Sequence, residues 1–91
     1  MNIFLYKIHV RGRVQGVGFR WSAANEALRR GITGFVKNLQ DGSVYVEAEG
    51  EREILEDFVA WCRSGPRFSS VDSVEVNSGP PVGYTGFVIS H

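Results

Sequence analysis

The chain opens with an alternation of apolar and polar positions that is typical of a β-strand. Between residues 4 and 10, one set of alternate positions is wholly apolar, while the other set includes Lys7 and His9. This period of two predicts a strand with one buried face. The side chains on the apolar face are Phe4, Tyr6, Ile8 and Val10.

The pattern then changes from a period of two to a helical period. Residues 11–18 contain Gly16 and Gly18 and predict a loop. Residues 19–30 predict a helix, and Gly31 is typical of the position just after a helix end. The small or apolar residues that recur at helical spacing are Ala23, Ala24, Ala27 and Leu28.

A hairpin follows the first helix. Residues 32–40 predict a strand, and Asp41-Gly42 is a strong signal for a tight turn, because both central residues of such turns favour positive φ. Residues 44–49 again alternate between apolar and polar side chains. They predict the returning strand of the hairpin.

The last third of the chain predicts a second helix and two more strands. The helix covers residues 51–63 and ends at Ser64-Gly65-Pro66. Its apolar stripe consists of Ile54, Leu55, Phe58, Val59 and Cys62, with Trp61 beside it. A fourth strand is indicated by Val71, Val74 and Val76. Gly79-Pro80-Pro81 interrupts the chain, and residues 87–89 predict a short final strand.

The element order is therefore β-α-β-β-α-β with a short extra strand at the C-terminus. Two helices on one face of a mainly antiparallel sheet bury both helical stripes. With right-handed crossovers this arrangement predicts an α+β fold, the ferredoxin-like βαββαβ two-layer sandwich. We expect one domain over residues 1–91, since no linker or repeat interrupts the pattern.

Charge and cysteine content narrow the classes of function. The formal net charge is zero, which argues against general nucleic-acid binding. The first 25 residues nevertheless contain four basic and no acidic residues, which favours a small anionic ligand. Cys62 is the only cysteine, and residues 1–10 are too short and mixed for a signal peptide or membrane span. We expect a cytoplasmic monomer that acts on a small molecule without a membrane.

Several common catalytic motifs are missing from the sequence. No Gly-Lys-Ser/Thr follows the glycines, and Trp21 stands where a dinucleotide fingerprint needs its third glycine. The two histidines, His9 and His91, and the single cysteine do not form a zinc motif. We expect neither a metal nor an organic cofactor.

The segment from Gln15 to Arg20 is the first candidate site. A glycine loop that runs into a helix start presents backbone N–H groups without intrahelical partners, and the helix dipole adds attraction for an anion. Arg20 adds a planar fork suited to a phosphoryl group. The alternatives are a glycine-rich tight bend and an exposed or salt-bridged arginine.

Asn38 is the second candidate. Asparagine is disfavoured inside a strand, and its amide offers both a donor and an acceptor that would orient a water molecule. The alternative is that Asn38 begins the hairpin loop, where asparagine is common.

Together, the two segments resemble the two signatures of the acylphosphatase family. Residues Val10 to Arg20 resemble the first signature. Gly34-Phe35-Val36-Lys37-Asn38, followed by Gly42, Val44 and Gly50, resembles the second. The resemblance extends over nearly the whole chain, and it implies the ferredoxin-like sandwich and hydrolysis of the carboxyl–phosphate bond of acyl phosphates.

The resemblance also implies roles for individual residues. Arg20 would bind the phosphoryl group and Asn38 would position the attacking water, with no metal and no covalent intermediate. The phosphate-binding loop would consist of Gln15, Gly16, Val17, Gly18, Phe19 and Arg20. Such a sparse site fits the chemistry, because a carboxylate leaving group has a conjugate acid of pKa about 4 and needs no general acid.

Two other functions compete with this interpretation. Ferredoxin-like folds also serve as RNA-recognition modules, which would use sheet aromatics such as Tyr6, Phe35 and Tyr45. No RNP-like run is visible, and fold analogy is weak evidence for function. The other rival is a carbamoyl phosphate-hydrolysing module of a larger carbamoyl-transfer system.

Overall fold

The computed structural model describes residues 2–91 and contains five strands and two helices in the predicted order. The elements are β1 (Phe4–Arg13), α1 (Phe19–Arg29), β2 (Thr33–Asn38), β3 (Val44–Gly50), α2 (Arg52–Ser64), β4 (Ser70–Gly79) and β5 (Phe87–Ser90). The predicted ferredoxin-like sandwich is confirmed, and most element ends agree with the sequence patterns within two residues.

The five strands form one mixed sheet in the order β4-β1-β3-β2-β5. Strands β1, β2, β3 and β4 pair antiparallel, as predicted. Strand β5 adds to the edge at β2 in the parallel direction, with Gly34 opposite Phe87 and Lys37 opposite Ser90. This parallel pairing carries the last residues of the described chain toward the end of β2, where Asn38 lies.

Both helices pack on one face of the sheet and enclose the core. Helix α1 contacts β2 and β5, whereas α2 contacts β4, β1 and β3. The ring of Phe19, at the first position of α1, is buried and lies 5.4 Å from the Trp61 ring of α2. Phe58 stacks on the same indole at 6.1 Å. The start of α1 is therefore held in place by aromatic packing.

Strand β1 extends further than the sequence pattern indicated. Residues 11–13 were expected to belong to the loop, but they continue the pairing with β4 beyond a bulge between Arg11 and Gly12. Gly12 has φ +136°, and a Cβ there would lie 2.2 Å from the carbonyl oxygen of Ser70. Glycine thus allows a close backbone approach that other residues would prevent.

The other face of the sheet is covered in part by the segment between β4 and β5. Tyr84 in this segment packs edge-on against Phe35 at 5.8 Å, and Phe35 lies 6.0 Å from Tyr45. Tyr6, a candidate sheet-surface aromatic in the sequence, instead lies in the core between sheet and helices, and its hydroxyl donates to Glu56 of α2.

Glu49 anchors the segment between β4 and β5. Its carboxylate is buried and accepts hydrogen bonds from the backbone N–H groups of Val82, Gly83 and Tyr84. Burial alone would raise the pKa of Glu49, but these three donors together lower it below its usual value. Within residues 2–91, no helix has the length and apolar character needed to cross a membrane.

Candidate active site

The loop between β1 and α1 is fastened to the β2–β3 hairpin by one side chain. The Gln15 amide donates to the carbonyl oxygen of Leu39 at 2.7 Å and to that of Ser43 at 2.8 Å. These carbonyls belong to the turn that follows Asn38. Gln15 therefore holds the β1–α1 loop against the end of β2.

The hairpin itself is held by a small polar network around Ser43. The buried Ser43 hydroxyl lies 2.7 Å from Nε2 of His9 and donates to the carboxylate of Asp41. The Ser43 backbone N–H donates to the same carboxylate at 2.9 Å. The hydrogen bonds from Ser43 lower the pKa of Asp41. Loop and hairpin therefore form a connected, well-supported unit.

The start of α1 is open to a ligand. Gly18 is the N-cap residue, with φ 77° and ψ 20°, and Gly16 has φ 75°, so both occupy the left-handed region that favours glycine. The first turn of α1 has neither a side-chain cap nor an acidic residue. The first backbone bond of the helix runs from the Ser22 N–H to the Gly18 carbonyl, which leaves the N–H groups before it without helical partners.

A cavity of about 300 Å³ lies at this helix start. Its lining combines the glycine loop, the first turn of α1, the end of β2 and the end of β5. The lining residues are Val14, Gly16, Gly18, Phe19, Arg20, Trp21, Asn38, Ile89 and His91. No acidic side chain is among them, and both the helix dipole and Arg20 favour an anion in this cavity.

The Arg20 side chain is oriented by contacts with Ser90, at the end of β5, and with His91. Its Nη1 lies 3.2 Å from the carbonyl oxygen of Ser90 and 3.2 Å from Nδ1 of His91. The side chain is half-buried, and no carboxylate within residues 2–91 forms an ion pair with it. The guanidinium is thus oriented by a backbone carbonyl and an imidazole ring and not by a carboxylate, which leaves its charge available for an anion.

The cavity brings together most of the residues that the sequence singled out. Gly16, Gly18, Phe19 and Arg20 line it with Asn38, whereas Gln15 and Val17 are not among its lining residues. Gln15 is instead the residue that docks the loop on the hairpin.

Four lining residues are not among the predicted site residues: Val14, Trp21, Ile89 and His91. His91 and Ile89 reach the cavity only because β5 pairs with β2, and Trp21 only because it follows Arg20 on α1. Pairing between distant strands is not encoded in any local motif, so this part of the site depends on the tertiary fold.

The chemistry that this arrangement allows is that of an anion cradle beside a polar amide. Among residues 2–91, no group of three His, Cys, Asp or Glu side chains is placed to hold a metal ion. The Cys62 thiol is buried in the core, and burial raises its pKa to about 12, which makes it a packing residue and not a nucleophile.

The fold and the cavity define a ferredoxin-like domain with a candidate anion site at a helix N-terminus. Comparisons with known proteins identify it further. The acylphosphatase family model matches residues 6–89. An acylphosphatase of Nostoc sp. is 48% identical over 82 residues, which cover 90% of this chain and 81% of the relative.

Solved structures lead to the same family. The crystal structure of acylphosphatase from Bacillus subtilis superposes with a TM-score of 0.94 and 40% identity, covering 97% of this chain and 99% of that chain. The chain also resembles part of HypF from T. kodakarensis, with a TM-score of 0.84 and 33% identity, covering 97% of this chain but only 12% of that one.

The chain belongs to the acylphosphatase family, whose enzymes hydrolyse acyl phosphates. The family resemblance noted in the sequence is therefore confirmed, and with it the expected hydrolase activity. Neither the RNA-binding module nor the carbamoyl phosphate-hydrolysing module is favoured, because the acylphosphatases are matched along most of their own length.

Proposed function

We propose that Arg20 and Asn38 carry the hydrolysis, with the loop N–H groups from residues 15–20 as the phosphate cradle. The observation that carries this proposal is that Arg20 and Asn38, from separate elements, line one cavity at the start of α1. The phosphoryl oxygens accept hydrogen bonds from the loop N–H groups and from the Arg20 fork.

The Asn38 side chain holds the attacking water. Its amide oxygen accepts a hydrogen bond from the water and turns the water lone pair toward phosphorus. The water attacks in line, the bond between phosphorus and the bridging oxygen breaks, and the carboxylate leaves with the bond electrons. One proton of the water passes to a phosphoryl oxygen, so the products are a carboxylate and dihydrogen phosphate.

Positioning of the reactants and stabilisation of charge are sufficient to catalyse this reaction. The leaving carboxylate has a conjugate acid of pKa about 4, so it departs without a general acid. We propose accordingly that the enzyme needs no metal and no cofactor. The cradle lowers the barrier because its donors are fixed before the charge of the transition state develops.

We also propose that residues 1–91 act as one domain and as a monomer in the cytoplasm, without nucleic acid. The formal net charge of zero and the single, buried cysteine support this part of the proposal. A monomer at micromolar concentration in analytical ultracentrifugation is the expected result.

The role of Arg20 is tested by Arg20→Ala. We expect kcat/KM for benzoyl phosphate to fall about 10²- to 10³-fold, the effect of losing one strong donor to a developing oxyanion. The fold should persist, because within residues 2–91 the side-chain hydrogen bonds that are lost are those to Ser90 and His91. Steady-state absorbance assays, with circular dichroism of the same samples, measure both quantities.

Arg63→Ala is the matched control for Arg20→Ala. Arg63 is exposed on α2 and does not line the cavity, so its removal should leave kcat/KM within about twofold of the unmodified enzyme, as is usual for surface changes. Near-normal benzoyl phosphate hydrolysis by folded Arg20→Ala would overturn the assignment of Arg20.

A further inference from the structure

A second concave surface adjoins the proposed phosphate cavity on the helix side of the molecule. This groove has a volume of about 640 Å³ and runs between α1 and the segment that follows α2. Its apolar walls include Trp21 and Leu28 from α1, with Trp61 and Pro66 on the opposite side. Its volume lies within the range of about 300–1,000 Å³ that is usual for small-molecule sites.

Trp21 connects the groove with the phosphate cavity. The same indole lines both, and 68% of its surface is exposed. Leu28, farther along α1, is 57% exposed. The opposite side is firm, because Trp61 packs on Phe19 at 5.4 Å and on Phe58 at 6.1 Å. The groove is therefore a supported surface with apolar walls, and it shares Trp21 with the cavity.

The proposed reaction requires space for the acyl group outside the phosphate cavity. In-line displacement places the leaving carboxylate on the opposite side of phosphorus from the attacking water. In the proposed function Asn38, on β2, holds the water, whereas Trp21 lines the cavity from α1. An acyl group that points away from Asn38 is thus directed toward the helix side, where Trp21 and the groove lie.

The rim of the groove tolerates an anionic substrate. Its charged residues are Glu26, Arg29 and Arg67. Glu26 is already paired with Arg29 at 3.0 Å and with Arg30 at 2.5 Å. Arg67 forms no salt bridge within residues 2–91, and its guanidinium lies 5.6 Å from the Phe68 ring centre. Positive charge at the rim therefore remains available.

We propose that this groove binds the acyl group of the substrate, and that Trp21 makes the enzyme prefer aromatic acyl groups over small ones. We name it the acyl groove. The proposal rests on the proposed function, which places the phosphoryl group beside Arg20. A flat acyl group stacks on the Trp21 indole with its edge toward Trp61, whereas an acetyl group is too short to gain this contact.

The test compares benzoyl phosphate with acetyl phosphate as substrates. Trp21→Ala should lower the ratio of their kcat/KM values, benzoyl to acetyl, by about three- to tenfold, the range for one lost aromatic pair. The loss should lie mainly in KM for benzoyl phosphate. Trp21→Phe, which keeps a ring, should lose less of the ratio than Trp21→Ala.

Phe68→Ala is the matched control, because Phe68 is another aromatic residue, 75% exposed, that lines neither the cavity nor the groove. It should leave the ratio unchanged. The high exposure of Trp21 also means that both Trp21 variants should fold, which circular dichroism checks.

The outcomes separate this proposal from the proposed function. Equal losses for both substrates in Trp21→Ala would overturn the acyl groove and leave hydrolysis at Arg20 intact. A shift of oligomeric state in Trp21→Ala, with the ratio unchanged, would assign the groove to contacts between copies and overturn the acyl role. If the unmodified enzyme hydrolysed neither substrate, the proposed function and the acyl groove would fail together.

Discussion

The sequence allows two interpretations of Asn38: a residue that orients a water molecule, or a residue that begins the hairpin loop. It is the last residue of β2, pairs with Val44 across the hairpin, and directly precedes the turn. Its position therefore satisfies the expectation for a hairpin residue, yet Asn38 also lines the cavity. The position in the hairpin is therefore observed, whereas the positioning of water by Asn38 stays a proposal.

Replacement of Asn38 separates water positioning from phosphate binding. In Asn38→Ala we expect kcat for benzoyl phosphate to fall about 10²-fold or more, since a positioned donor or acceptor in the transition state has this typical effect. The inhibition constant of inorganic phosphate should change much less. The control is Asn77→Ala, an exposed asparagine on β4. If phosphate binding weakens as much as kcat falls, Asn38 is a binding residue instead.

At the scale of elements, the site depends on how α1 begins. The helix has no side-chain cap, and its N-cap Gly18 is in the left-handed conformation. A Cβ at Gly18 would meet nothing within 4 Å, so glycine is required for its backbone angles and not for space. The free N–H groups of the first turn then remain available to a ligand.

Gly18→Ala tests whether this geometry serves catalysis. Forcing alanine to a positive φ costs about 1–2 kcal/mol, and relaxation of the loop should turn its N–H groups away from the cavity. We expect a lower free energy of unfolding and a clear rise in KM for benzoyl phosphate.

Gly31→Ala is the matched control for Gly18→Ala. Gly31 has φ 69°, also with nothing within 4 Å of its added Cβ, but it follows the other end of α1. It should show a similar loss of stability without the rise in KM. Equal KM values in the two variants would contradict a role for the Gly18 backbone in substrate binding.

Much of the whole molecule follows from local patterns. Alternation predicts the strands, and the stripe from Ile54 to Cys62 predicts α2. The antiparallel β2–β3 pair follows from a short connection, whereas the pairing of β1 with β3 and β4 follows from right-handed crossovers. The parallel pairing of β5 with β2 does not follow from a local pattern, because the two strands are far apart in the sequence. For the same reason, the contact of His91 with Arg20 had no counterpart in the sequence pattern.

The environment of Glu49 also could not be predicted from the local sequence. Acidic side chains recur between residues 47 and 57, and Glu51 and Glu53 are exposed, as is usual for carboxylates. Glu49 is instead buried and bound by three backbone N–H groups of a segment more than thirty residues away. A carboxylate surrounded by backbone donors cannot be recognised from its neighbours in sequence.

The central claim is that water attacks the phosphorus of a phosphoryl group held at the start of α1. Hydrolysis of benzoyl phosphate in ¹⁸O-labelled water, followed by mass spectrometry of both products, tests it most directly. We predict that the enzyme places the label in inorganic phosphate and leaves benzoate unlabelled. Label in benzoate would mean attack at the carbonyl carbon, which would contradict the proposed roles of Arg20, Asn38 and the loop.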